Sequence, residues 1–233
     1  MRAIVAFISL PALLWIGTAH AQSDLPPATH SVSVSVHRDV QPRPSEQDVD
    51  AILEQASKLL QKDLGHIDKP DDVACPVTFK RSGPIRTFVS PDTDAWDNVN
   101  EGNIQAVHSV DFDVTDVSFH VKIVNKIGFC KGDGTKLYNG CSWPHQWRSI
   151  IVVAPGKHPA DRPGQFLRSF ADHALWAHEF GHLTGLWHRD DAGALMIPCQ
   201  VQFSSVRVNR MECSCLLGGP GSCRLPEFNP TCR

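Results

Sequence analysis

The chain has 233 residues and a formal charge of −3 at neutral pH, long enough for one domain with a substantial core. It has no block of basic residues and no basic patch interleaved with aromatics, which counts against nucleic acid as a partner. In chain order, Arg2 precedes an apolar run from Ala3 to Ile16, and Ala19-His20-Ala21 has the small-x-small form of a cleavage site. Residues 1–21 therefore read as a secretory signal peptide. The run is too short to span a bilayer, so no membrane anchor is expected after cleavage. Loss of Arg2 takes the charge from −3 to −4. A secreted or periplasmic, soluble and monomeric mature protein is expected.

Residues 22–29 read as a short leader, and residues 30–233 as a single domain. His30 to His37 alternates Ser and Val, the period of a strand, and Pro42 and Pro44 end it. Asp48 to Lys62 places Val49, Ile52, Leu53, Ala56, Leu59 and Leu60 on one helical face, with Ser45 or Asp48 as N-cap. Val77–Phe79 and Ile85–Val89 flank Lys80-Arg81-Ser82-Gly83-Pro84 and read as a hairpin-like pair. Val117–Ile127 and Ser149–Val153 are the next strands. Arg168 to Leu186 is a long helix, and Ser204 to Cys215 a final short one.

The long helix carries the chemistry. Residues 178–188 read His-Glu-Phe-Gly-His-Leu-Thr-Gly-Leu-Trp-His. His178 and His182 are one helical turn apart and project from one face, so both imidazoles can reach one Zn²⁺ at about 2 Å. Gly185 suits a sharp, left-handed exit from the helix. The chain can then double back and His188 can supply a third nitrogen. Three protein ligands leave the fourth position to water, the catalytic arrangement of zinc. Glu179, beside the first ligand, is placed to take that water's proton. Trp176, Phe180, Leu183 and Trp187 form a stripe opposite the histidines, read as core that leaves the histidine face to a cleft. His30, His37, His66, His108, His120, His145, His158 and His173 lack ligand spacing. The Gly132-Asp133-Gly134 loop lacks the oxygen run of a calcium site and reads as a turn.

The pattern H-E-x-x-H-x-x-G-x-x-H resembles that of the metzincin clan of zinc metallopeptidases. Ala194-Leu195-Met196-Ile197-Pro198 is similar to the Met turn of the matrixin branch, and the resemblance covers about residues 171–199. It implies an α+β fold in which a twisted mixed sheet lies over the motif helix. It also implies one catalytic zinc, Met196 as the floor beneath it, and a sheet-edge strand, Ser149–Val153 or its neighbour, that pairs with an extended substrate. The chain departs from related branches at three positions. Pro198 stands where astacin-like and serralysin-like enzymes have Tyr, Ile197 where matrixins usually have Tyr, and Arg189 where adamalysin-like enzymes have Asp. Asp190 and Asp191 read either as braces of the turn or as solvated loop acids. No Cys precedes Cys75, so the Cys-capped zinc of a long matrixin propeptide has no counterpart here. Asp24 is a candidate cap by residue type alone.

The eight cysteines are Cys75, Cys130, Cys141, Cys199, Cys213, Cys215, Cys223 and Cys232. An even count behind a signal peptide reads as disulfides. Cys130 and Cys141 are expected to close the loop around Lys131–Gly140. Cys213, Cys215, Cys223 and Cys232 are expected to staple the C-terminal part, with Cys199 available to join them. Cys213-x-Cys215 lacks the gap of a zinc thiolate pair.

These readings converge on a secreted zinc endopeptidase acting on protein or peptide substrates, with Glu179 as general base. The alternatives are a highly selective toxin-like peptidase with a single target and a non-catalytic zinc-binding module on the same fold. The intact Glu179 counts against the module.

Overall fold

The computed structural model describes residues 25–61, 71–89, 98–110, 114–130, 138–143, 147–155, 172–191, 193–197 and 206–224. The signal peptide, Asp24, the Gly132–Gly134 loop, His66, His145, His158, Pro198, Cys199 and Cys232 lie outside these residues.

The described elements are β1 (Ala28–His37), α1 (Glu46–Gln61), β2 (Val77–Arg81), β3 (Arg86–Phe88), β4 (Asn98–Val99), α2 (Ile104–Ser109), β5 (Phe119–Val124), β6 (Lys126–Ile127), β7 (Gly140–Cys141), β8 (Ser149–Val153), α3 (Asp172–Thr184) and α4 (Arg210–Gly218). The main sheet runs β2-β1-β5-β8-β7, with β3 also on β1, and β4 pairs separately with β6. Only β7 is antiparallel to its neighbour in the main sheet. The architecture is therefore α+β with a mixed sheet, as expected.

Ala28 and Thr29, read from sequence as the end of the leader, already belong to the sheet, paired with Val77 and Thr78. The Ser/Val alternation of β1 does divide its faces. Val32, Val34 and Val36 enter the larger core, but Ser33, Ser35 and His37 are buried as well. Both faces of the sheet are covered, as parallel strands require. On one side β1, β5 and β8 send alternate residues toward α1, α3 and α4. On the other, Val124, Ile151 and Val153 pack with Ile104 and Val107 of α2. Ser45 caps α1, its Oγ accepting from the Asp48 amide while the Asp48 carboxylate accepts from the Ser45 amide.

The hairpin expectation for residues 77–89 is wrong. β2 and β3 both run parallel to β1, along the same edge of it. That edge advances from Arg81 to Arg86 while β1 advances from Val32 to Ser35, so the turn residues form a bulge in a strand that keeps its direction. Gly83, at φ 74°, supplies the left-handed residue of the bulge.

Cys130 pairs with Cys141 as expected. The C-terminal cysteines are not tied only to one another: Cys213 of α4 bonds Cys75, ahead of β2, and Cys215 bonds Cys223. The second bridge holds the tail where it caps α3, with the Gly221 and Cys223 amides donating to the Leu183 and Thr184 carbonyls. These are end-of-helix acceptors that the helix itself cannot satisfy. The final helix lies later than expected, at Arg210–Gly218, because Asn209 and Glu212 form a capping box at its start. Among the described residues no helix is long and apolar enough to cross a membrane.

Candidate active site

The motif helix α3 ends at Thr184, two residues before the expected Leu186. The Leu186 amide donates to the Gly181 carbonyl and the Gly185 amide to the His182 carbonyl. That pair of bonds, with Gly185 at φ 101°, is the Schellman ending that favours glycine. The reversal returns the chain over the helix. His178, His182 and His188 are thereby brought together, their ligand atoms all within 4.8 Å of one another. His182 Nε2 and His188 Nε2 are 3.2 Å apart.

The ring orientations are fixed from behind. His178 Nδ1 is 2.7 Å from the Leu195 carbonyl and His182 Nδ1 is 2.8 Å from the Leu186 carbonyl. A carbonyl can only accept, so each Nδ1 carries the proton and each Nε2 presents a lone pair. Metal-ligating imidazoles are commonly oriented through such outer partners. Burial keeps both rings neutral, lowering the His178 pKa to about 4 and holding that of His182 well below its ordinary value. Neutral imidazoles with converging lone pairs fit a cation, so the cluster could hold one metal ion through these three residues.

Trp176, Phe180 and Leu183 lie in the core. Every residue from Ala174 to Thr184 is buried, the two ligand-type histidines and Glu179 included. Trp187 and His188, beyond the helix, are only partly buried.

Met196 is fully buried beneath the helix. A Cβ on Gly181 would meet the Met196 sulfur and lie 3.2 Å from its Cε, so the glycine makes room for the turn. The turn is tied by main chain to both ligand segments. The Leu195 carbonyl receives His178 and the Met196 carbonyl receives the Arg189 amide. Asp191 braces this region through ion pairs with Arg207 and Arg189, and Arg189 also reaches buried Glu212 of α4. Asp190 is exposed.

Glu179 is held by residues that sequence reading did not single out. Ser142 Oγ lies 2.6 Å from Glu179 Oε2. A Cβ on Gly140 would approach Glu179 Cγ and Cδ to 2.7 and 2.8 Å. With no cation beside it, burial pushes the Glu179 carboxyl up to about 8, the hydrogen bond from Ser142 opposing the rise; a cation held by the three histidines would favour the ionised form. Both residues lie on or beside β7, which ends the sheet order and is the neighbour of β8. β8 itself is paired on both sides, and among the described residues no strand pairs with the other side of β7.

No protein-family model matches the chain, and no curated protein matches its sequence. Solved structures that align with the chain include an archaemetzincin from Methanopyrus kandleri, 16% identical, with a TM-score of 0.46 over 80% of this chain and 93% of that one. Metalloproteinase-II from Bacteroides fragilis is also 16% identical, with a TM-score of 0.42 over 82% of this chain and 52% of that one. The chain thus spans about half the length of the Bacteroides protein.

Proposed function

We propose that the protein is an exported zinc endopeptidase. The observation that carries this reading is the convergence of His178, His182 and His188, two of them locked with Nε2 forward, beside the buried carboxylate of Glu179. Three imidazole ligands suit zinc among the biological divalent ions. When bound, zinc supplies a Lewis acid that lowers the pKa of its water and polarises the scissile carbonyl.

The chain's own residues do the rest. Glu179 accepts the water proton on a carboxylate oxygen as the water oxygen bonds the carbonyl carbon. It then delivers that proton to the amine nitrogen as the C–N bond breaks. An extended peptide is held by main-chain pairing to the outer side of β7, in the manner of strand addition. Met196 and Gly181 support the site from below without touching the substrate. The three disulfides placed by the structure suit an oxidising compartment.

The test is digestion of a mixed peptide library by the zinc-loaded mature protein beside Glu179→Ala, read by mass spectrometry. Cleavage by the wild type is expected, reduced about 10²- to 10⁴-fold in the variant. Equal cleavage by both would remove Glu179 from the chemistry. Stoichiometric zinc without any cleavage would favour the binding-module alternative.

A further inference from the structure

We propose that Ser142 is the positioning residue for Glu179, and that β7 aims the base with the same strand that receives the substrate. This rests on the reading of Glu179 as proton acceptor. Three consecutive residues carry it. Gly140 lies against the Glu179 side chain so closely that a Cβ would overlap it. Cys141 is pinned by its disulfide to Cys130 and by pairing with Ile151 of β8. Ser142, buried, points its hydroxyl at Glu179 Oε2 from 2.6 Å.

A glutamate on a helix has several rotamers open to it. Here the main chain at Gly140 walls off one side and the Ser142 hydroxyl holds the other. The same hydroxyl is 2.9 Å from the main-chain carbonyl of Glu179. It therefore has two acceptors on a single residue and fixes the carboxylate relative to its own backbone. With Glu179 ionised, the hydroxyl donates to Oε2, a charge-assisted bond. Once Glu179 has taken a proton, the hydroxyl can turn to the carbonyl, and its oxygen accepts from the carboxyl O–H. Ser142 can thus serve both states that the general base passes through. Because β7 is short and disulfide-anchored, the position of the carboxylate and the seat of the substrate backbone are set together.

The test uses zinc-loaded full-length Ser142→Ala, Ser142→Thr and Ser142→Val, with kcat and KM measured on a peptide that the wild type cleaves. Thr and Val have nearly the same shape and differ in the hydroxyl. Ser142→Ala removes it without adding bulk. Ala and Val are expected to lower kcat about 10- to 100-fold, with KM, zinc content and the visible spectrum of the cobalt-substituted protein unchanged. Thr should stay within about threefold of wild type. In a Glu179→Ala background, Ser142→Ala should cause no further loss, since it acts through Glu179. The proposal is overturned if Val and Thr behave alike, if Ala leaves kcat intact, or if the loss persists without Glu179. A loss that follows zinc content or melting temperature instead of kcat also overturns it. If Glu179→Ala cleaves like wild type, the reading of Glu179 itself fails, a result seen without any Ser142 variant.

Discussion

Gly181→Ala offers a test of how closely the methionine turn is packed beneath the motif helix. In an ordinary helix interior this change is stabilising by about 0.5–1 kcal/mol, because glycine costs more backbone entropy than alanine. Here the new Cβ would meet the Met196 sulfur and lie 3.2 Å from Cε and 3.6 Å from Leu186 Cδ1. Met196 and Leu186 are both buried, so neither can relax into solvent. Overpacking of this kind costs about 1–3 kcal/mol, which exceeds the propensity gain over most of its range. A net destabilisation of about 1–2 kcal/mol is expected, or about 2–4 °C in Tm per kcal/mol for a chain of this size. Urea unfolding with chelator present removes the contribution of metal binding to stability. Met196→Ala alone should cost about 2–5 kcal/mol as a cavity. The two changes together should cost less than their sum, because the Cβ then fills vacated space. A Gly181→Ala variant as stable as wild type, or strictly additive with Met196→Ala, would refute the contact.

Three further outcomes follow from the geometry. His188→Ala should weaken zinc binding by more than about 100-fold in competition with a chelator; unchanged affinity would remove His188 from the ligand set. Cys215→Ser with Cys223→Ser opens a bridge with a sequence separation of 8 and should cost about 2–3 kcal/mol by loop entropy. Amide exchange should quicken at Gly221 and Cys223, whose N–H groups cap α3, and unaltered protection there would show that the cap does not depend on the bridge. His108 is buried against Ser149, Trp147 and Lys122, and burial lowers its pKa from 6.5 to about 3. The unfolded chain therefore binds this proton more readily. Stability contributed by neutral His108 is present above about pH 6.5 and is lost as pH falls toward 3, at about 1.4 kcal/mol per unit. His108→Asn should flatten the acid limb of ΔG against pH by one proton, and an identical slope would contradict the burial argument.

The candidate site was legible where the chemistry is local. His178, Glu179, His182, Gly185 and His188 lie within a single helix and its turn, so residue spacing alone brings their side chains together. Ser142 was not legible, because it reaches Glu179 across 37 residues of chain and only the sheet order makes them neighbours. Gly140 and Gly181 carry no signal of their own, since a glycine that makes room for another side chain looks like any other glycine. The Gly83-Pro84 signal marked a break in the strand correctly, but turn residues do not tell whether the chain reverses or continues, and the parallel partner β1 decided that. Cys75 and Cys213 are 138 residues apart, a separation at which spacing carries no information about pairing. The alternation in β1 gave its period but not the burial of Ser33, Ser35 and His37 on its second face, where His37 packs edge-on against Phe88 of β3.

The methionine turn is joined to its surroundings largely through backbone atoms. The Leu195 carbonyl receives His178, the Leu195 amide donates to the Arg207 carbonyl, and the Met196 carbonyl receives the Arg189 amide. Such bonds are indifferent to which side chains the turn carries, provided these fit the space below the helix. They are unforgiving of residue number, because one inserted or deleted residue would shift every partner at once. The turn should therefore drift in spelling while keeping its length. Side-chain changes at positions such as Ile197 can then accumulate without disturbing the histidine that the turn orients.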